Sequence, residues 1–284
     1  MKKRILAVLL SAVLLLSLCS VALASADRPF YLVLGDSIAF GSGLANPREA
    51  VYGKVVADTN GYDYANYAVP GHTTANLMKR MENETVRDAI ARADIISISI
   101  GGNNFLLGNL NALLFDGIVK QDYTKLDAIA VGFLTDLDAI VTTIRAQNQD
   151  AAIVLQTLYN PQTGYIGEVY QQGANRLNQA LRTYDEAHPG AILIADVGAA
   201  LTDSDRDFAE DRIHPSAAGN EKIARVVLQT LKDNGLGSAA EPVIQTAGKD
   251  AHGMGIFTVF VNLYGNFFHV LAVVRGFFAR LFKA

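Results

Sequence analysis

The chain has 284 residues and a formal net charge of −4; 50% of its residues are hydrophobic and 18% are charged. This composition excludes a disordered chain, which lacks the apolar residues that a core needs, and it allows one large domain or two small ones. The acidic balance argues against nucleic acid as the main partner, because binding to phosphates depends on Lys and Arg.

The N-terminus has the pattern of a secretory signal peptide. The basic start MKKR precedes the apolar run ILAVLLSAVLLLSLCSVALA, and small residues allow cleavage after Ala24 or Ala26. This predicts a signal peptide over residues 1–26 and a protein that is secreted or held at the cell surface; an uncleaved anchor is the alternative. Cleavage would remove Cys19, the one cysteine, and would move the net charge from −4 to −7. The mature protein would then contain neither a disulfide nor a thiol nucleophile.

Five apolar segments alternate with helical patterns along the next two hundred residues. The predicted strands are residues 30–35, 62–69, 94–101, 151–158 and 191–197. The predicted helices are residues 47–59, 73–92, 122–148, 165–187 and 215–233. Three strands are almost unbroken apolar runs, as in strands buried on both faces, so we expect an α/β domain with a parallel sheet between helices. Ligands of such sheets bind beyond the carboxyl ends of the strands.

The C-terminal part of the chain differs in composition from this domain, which we place at residues 27–235. Residues 236–253 are rich in Gly, Ala and polar residues and are interpreted as a linker. Residues 254–284 are strongly apolar and predict a helix, in which Ile256 to Val274 contain no acid, Lys or Arg. That helix could span a membrane, lie on its surface or pack on the domain, and the sequence leaves all three open.

Residues with catalytic chemistry follow the predicted strands. Ser37 follows the first strand, and a serine becomes a nucleophile only where a base takes its proton; capping a helix is its alternative role. His214 is the candidate base, and Asp211 lies three residues before it, where the carboxylate can orient the imidazole. His72 and His188 are weaker candidates, since one adjoins a Gly turn and the other ends a helix.

An oxyanion formed at the site would need hydrogen-bond donors. Gly71 follows the second strand and offers a backbone N–H, and Asn103 follows the third strand and offers a side-chain amide. Taken singly, either residue is more typical of an ordinary turn. The combination of these donors with a serine and an Asp–His pair, all after strand ends, favours catalysis.

These residues resemble the blocks of the GDSL, or SGNH, hydrolase family over roughly residues 30–233. GDSIAFG resembles the first block with Ser37 as nucleophile, VPGHTTANL the second with Gly71, IGGNN the third with Asn103, and DRIHP the last with Asp211 and His214. The segment TLYNP further resembles bacterial lipases and esterases of the family, including spore-germination lipases. Asn104 is a departure, because the family usually has Asp at that position.

The resemblance implies a three-layer α/β/α sandwich with a five-stranded parallel sheet, flavodoxin-like in topology. It implies a secreted serine esterase or lipase that uses a Ser37–His214–Asp211 triad, an acyl-enzyme intermediate and no metal or organic cofactor. The expected partner is a small-molecule or lipid ester, with membrane association through residues 254–284 as a further expectation; the oligomeric state is open. Loops 104–121 and 159–168 are apolar and aromatic, which favours lipid-like acyl esters.

Other functions fit the sequence less well. A carbohydrate acetylesterase uses the same residues, and a descendant that only binds glycan or lipid is the alternative without catalysis. An α/β-hydrolase would need Gly-x-Ser-x-Gly, and residues 35–39 read GDSIA. The segment GSGLAN, residues 41–46, lacks the third Gly of a dinucleotide-binding loop.

Overall fold

The computed structural model describes residues 28–107, 110–253 and 255–281. The predicted signal peptide lies outside the described residues. The structure forms one sheet of five parallel strands in the order β2-β1-β3-β4-β5. The strands are β1 (Phe30–Gly35), β2 (Asp63–Asn66), β3 (Ile95–Ser99), β4 (Ala152–Gln156) and β5 (Leu193–Ala195). This order is that of the flavodoxin-like folds, as expected.

The predicted strands are confirmed in number and order, and β1 also in its bounds. The other four are shorter at both ends than the apolar pattern predicts. The reason is that the apolar residues flanking the strands are buried without being paired in the sheet, as for Ala68, Ile100, Ala151, Ile192 and Val197. A buried turn residue has the same hydrophobic signature as a strand residue.

Twelve α-helices and one π-helix lie in the described residues. They are α1 (Ser37–Phe40), α2 (Pro47–Ala50), α3 (Tyr52–Asn60), α4 (Thr74–Met81), α5 (Glu84–Arg92), α6 (Gly102–Leu106), α7 (Leu110–Leu114), the π-helix (Phe115–Lys120), α8 (Thr124–Gln147), α9 (Gly164–Ala187), α10 (Val197–Ala200), α11 (Ala217–Asp233) and α12 (Gly255–Leu281).

Two of the five helices predicted in the domain are each divided in two. Residues 47–59 form α2 and α3, because Val51 between them is extended (φ −63°, ψ 146°). Residues 73–92 form α4 and α5, because Asn83 caps the second helix by accepting the N–H of Val86. The short helices that directly follow β1, β3 and β5 were not predicted, since four or five residues carry too little periodicity.

The sheet separates two hydrophobic cores. Along β1, Tyr31 and Val33 point to one face, and Leu32 and Leu34 point to the other. The first face is covered by α3 and α11, and the second by α4, α5, α8 and α9. The architecture is therefore the expected α/β/α sandwich, with the carboxyl ends of the strands free to form a site.

Residues 236–253, interpreted from sequence as a linker, run along the surface of the domain and are called the strap below. Leu44 forms an antiparallel bridge with Asp250, and the N–H of Ala45 donates to the carbonyl of Lys249 at 2.8 Å. The side chain of Asn46 donates to the carbonyl of Ala247 and accepts the N–H of Lys249. The strap is thus attached to the segment that follows α1.

The last helix, α12, packs on the domain. Phe268 is buried in the core, and Gly265 lies so close to Ile166 of α9 that a Cβ there would be 2.8 Å from its Cδ1. Within the described ranges, no helix combines the length and apolarity that crossing a membrane requires. The membrane-spanning alternative from the sequence is therefore not supported.

Candidate active site

Ser37 begins α1 at the carboxyl end of β1. The preceding residue, Asp36, is the cap of this helix, because its Oδ1 accepts the N–H of Ile38 at 3.0 Å. Capping by Ser37, the alternative role considered from the sequence, is therefore wrong. Ser37 is the first residue inside the helix, is half-buried and lines a cavity at this end of the sheet.

Asp211 and His214 form a compact turn after β5. One carboxylate oxygen, Oδ1, accepts the backbone N–H groups of Ile213 and His214, each at 3.0 Å. The other, Oδ2, lies 2.5 Å from Nδ1 of the His214 ring. Arg212 between them has a φ of 54°, and this left-handed residue closes the turn on the carboxylate. The spacing of three residues thus gives the contact expected from the sequence.

The electrostatics of this turn favour a base. Burial favours the neutral form of Asp211, but the hydrogen bonds from the ring and backbone of His214 and from Ile213 outweigh it and hold its pKa below the ordinary value. The ionised carboxylate of Asp211 accepts a hydrogen bond from the N–H at Nδ1 of His214. Nε2 is then the ring nitrogen that can take a proton.

The chain brings the serine and histidine segments into direct contact. A Cβ on Gly43 would lie 2.1 Å from the carbonyl oxygen of Pro215 and 3.2 Å from Cβ of His214, so only glycine allows this approach. On another side, the hydroxyl of Tyr159 donates to the carbonyl of Ile213 at 2.9 Å. The His214 turn is therefore held between the segment after α1 and the segment after β4.

A hydrogen bond also connects Asn103, one candidate oxyanion donor, with the turn that contains Gly71, the other. Gly71 takes a left-handed conformation (φ 82°) in the turn after β2, and Asn103 lies in α6 after β3. The Asn103 amide donates one hydrogen bond from Nδ2 to the carbonyl of His72 at 2.9 Å. This bond fixes the orientation of the amide, and the second hydrogen of the NH₂ group is left for another acceptor.

Asn104, the departure from the family pattern, has a structural partner. Its Oδ1 accepts the N–H of Thr74 at 3.1 Å, and its Nδ2 donates to the Thr74 hydroxyl at 2.7 Å. That hydroxyl in turn donates to the carboxylate of Asp136 on α8. Asp136 was not identified from the sequence, because it lies within a long helix and no local pattern marks it.

The cavity has a volume of about 340 Å³. It is lined by the candidate residues Ser37, Gly71, Asn103 and His214, while Asp211 lies behind His214. Most other lining side chains are apolar or aromatic: Ile38, Ile100, Phe105, Leu106, Leu107, Leu110, Leu158, Tyr159, Tyr170 and Ile213. The two loops expected to form the acyl groove contribute several of them. His72 and His188 are not among the lining residues; His188 stacks on Tyr184 at the end of α9.

Asp36 is a further residue of this cavity that sequence reasoning did not single out. Its side chain is buried (4% exposed), and burial raises its pKa to about 7, although nearby His214 and hydrogen bonds to Ile38 and Ser99 oppose the shift. Its position between Gly35 and Ser37 was the only sequence signal available. Among the described residues, no cluster of three or more His, Cys, Asp or Glu side chains could hold a metal ion.

Comparison with known proteins shows the family of the chain. The sequence pattern of the GDSL-like Lipase/Acylhydrolase family matches residues 33–222. The uncharacterized protein YpmR of Bacillus subtilis (strain 168) is 25% identical over 264 residues, which cover 83% of this chain and 99% of YpmR.

Solved structures share the fold. The lipase Lip_vut3 from a goat rumen metagenome superposes with a TM-score of 0.58 at 20% identity, over 74% of this chain and 99% of the lipase. A family 3 carbohydrate esterase of Clostridium thermocellum superposes with a TM-score of 0.51 at 17% identity, over 72% of this chain and 96% of the esterase. The family match spans both the serine and the histidine segments, and the chain therefore belongs to the GDSL-like lipase/acylhydrolase family of ester hydrolases.

Proposed function

We propose that the protein is a serine esterase that hydrolyses lipid-like acyl esters. The observation that carries this proposal is the cavity itself, in which a serine, a carboxylate-bound histidine, a Gly turn and an oriented Asn amide meet beside an apolar lining. An acyl chain would be bound by that lining, and its ester carbonyl would lie at the polar end of the cavity.

The reaction would proceed through an acyl-enzyme. Oγ of Ser37 attacks the ester carbonyl while Nε2 of His214 takes its proton, and Asp211 stabilises the imidazolium. The N–H groups of Ser37 and Gly71 and the amide of Asn103 stabilise the oxyanion. His214 returns the proton to the leaving alcohol, and it then activates a water molecule that releases the acid and restores Ser37.

We further propose that the chain is exported and that its signal peptide is removed. The support is the sequence pattern of residues 1–26, with its basic start, apolar stretch and small residues at the end. Export would deliver the enzyme to esters outside the cytoplasm, at the cell surface or beyond it.

The experiment is hydrolysis of p-nitrophenyl acetate to palmitate, a lysophospholipid and acetylated xylan by wild type, Ser37→Ala and Ser42→Ala. Ser42 lines the same cavity, so the second variant is a matched control. We expect Ser37→Ala to lose at least about a thousandfold in kcat/KM while keeping its circular dichroism, and Ser42→Ala to stay within a few-fold of wild type.

Two results would contradict different parts of the proposal. Full activity of Ser37→Ala would refute the role of Ser37 as the nucleophile. Preference for acetylated xylan over the acyl series would keep the mechanism but refute the lipid-like substrate, and would favour a carbohydrate esterase.

A further inference from the structure

The helix α12 is apolar on two opposite faces. One face packs on the domain through Gly265, buried Phe268 and partly buried Ala272. The opposite face is exposed and is called the outer face. It consists of Val259, Leu263, Phe267, Val270 and Val274, each between 45% and 59% exposed.

The spacing of these residues forms a continuous stripe. Steps of four, four, three and four residues keep side chains on one side of an α-helix. The exposed face of a helix on a water-soluble domain is normally polar, and a contiguous apolar stripe marks a surface that contacts something else. The outer face therefore needs an apolar partner that the described part of the domain does not supply.

The elements beneath α12 expose apolar side chains as well. Phe115 of the π-helix is 39% exposed, and Tyr165 of α9 is 40% exposed and packs against the ring of His269 in α12, with the ring centroids 4.7 Å apart. The exposed apolar surface thus extends from α12 to the two elements on which it packs.

The charges of the C-terminal segment differ in sign from those of the domain. Residues 251–284 contain Arg275, Arg280 and Lys283 and no acidic residue, whereas the whole chain has a net charge of −4. Arg275 and Arg280 are exposed. A partner for this helix should therefore combine an apolar interior with negative charges at its surface.

We propose that the outer face binds the surface of a lipid bilayer with anionic headgroups, with α12 lying in the plane of the interface. The apolar stripe would enter the acyl boundary, and the arginines would contact the headgroups. A second copy of the chain fits less well, because α12 has no acidic residue to pair with those arginines. If the proposed esterase function holds, this binding would also bring the cavity close to lipid esters.

The test is co-sedimentation of the purified full chain with phosphatidylcholine vesicles, with and without phosphatidylglycerol, at low and high salt. The variant Leu263→Gln/Phe267→Gln/Val270→Gln removes three side chains of the outer face. The matched control, Val131→Gln/Val243→Gln/Ile244→Gln, removes exposed apolar side chains of α8 and the strap.

We expect wild type and control to sediment with phosphatidylglycerol vesicles, and the outer-face variant to bind at least roughly tenfold more weakly. Binding should fall at high salt and on vesicles without phosphatidylglycerol, because the arginine contribution is electrostatic. Ser37→Ala should bind like wild type, so that failure of catalysis and failure of binding can be told apart.

Three outcomes would overturn the proposal. Wild type could stay in the supernatant with every vesicle, or the outer-face variant could bind as tightly as the control. Light scattering after gel filtration could also show a wild-type dimer that the outer-face variant converts to a monomer. That last result would assign the outer face to a second copy of the chain.

Discussion

Burial raises the pKa of the Asp36 carboxyl well above that of an exposed carboxyl. An unfolded Asp loses its proton near pH 4, whereas burial keeps Asp36 protonated in the folded protein up to about pH 7. Between these values the folded state binds more protons than the unfolded state. The contribution of Asp36 to the free energy of unfolding must then fall as the pH rises through this range.

Replacing Asp36 by Asn should remove this dependence. The amide oxygen can still accept the N–H of Ile38, but it carries no charge that burial opposes. We expect Asp36→Asn to gain stability relative to wild type between about pH 4 and about pH 8, by a few kcal/mol at most. Urea denaturation across this range measures the gain.

Asp150→Asn, at an exposed carboxyl, is the control and should show no such trend. A constant difference between Asp36→Asn and wild type at all pH values would mean that Asp36 ionises like an ordinary carboxyl.

At the scale of elements, one hydroxyl joins three helices. The Thr74 side chain at the start of α4 accepts from Asn104 of α6 and donates to Asp136 of α8. This connects the turn of Gly71 with the helix of Asn103. Since a hydroxyl has one hydrogen, its donation to Asp136 requires a donor rather than a carboxylate at position 104. The amide at position 104 thus fits the carboxylate of Asp136 on the other side of the hydroxyl.

Asn104→Asp should lower kcat/KM by about tenfold, because two carboxylates would then face one hydroxyl and repel each other. The double variant Asn104→Asp/Asp136→Asn restores one carboxylate and one amide, so we expect it to recover most of the activity. Kinetics and urea denaturation of the single and double variants give the coupling energy, expected at about 1–3 kcal/mol.

Asp138→Asn, at an exposed carboxyl of the same helix, is the matched control and should leave both measurements unchanged. Additive effects of the two substitutions would show that Asn104 and Asp136 act independently.

The sequence predicted these elements unevenly, for physical reasons. Three of the strands between the helical layers are almost unbroken apolar runs, so the strands and the positions of Ser37, Gly71, Asn103 and His214 after strand ends were readable. The flavodoxin-like order of the sheet was implied by the family resemblance. Asp136 was not, since its partner Thr74 is 62 residues away and the contact is made by tertiary packing. The role of Asp36 was also hidden, because its burial depends on the folded environment.

At the scale of the whole molecule, the strap connects the segment after α1 with the start of α11, which lie near opposite ends of the domain sequence. Besides its bonds to residues 43–46, it supplies Asp250, whose Oδ1 accepts the N–H of Ala217 at 2.6 Å at the start of α11. The same segments contain Gly43 and Pro215, whose close approach positions the His214 turn. The segment that the sequence indicates as a linker is thus hydrogen-bonded to the domain at both places.

Asn46→Ala/Asp250→Ala should lower the free energy of unfolding by about 1–3 kcal/mol, since it removes three hydrogen bonds between the strap and the domain. Ester hydrolysis should fall as well, because the contact between residues 43 and 215 loses its support. Urea denaturation and kinetics at one temperature measure both effects.

Glu241→Ala is the control within the strap. It removes an exposed ion pair with Arg225 and should change stability by no more than about 0.5 kcal/mol. Equal effects of the control and the double variant would show that the strap contributes little to the site.

The bridge between Leu44 and Asp250 also bears on how the chain matures. The entropic cost of closing a loop rises only with the logarithm of its length. The bridge therefore costs little more entropy than a bridge that closes a much shorter loop. During synthesis, however, it can form only after Asp250 has left the ribosome, later than every predicted catalytic residue. A nascent chain therefore receives the support of the strap only when the domain before it has already been made, and α12 follows.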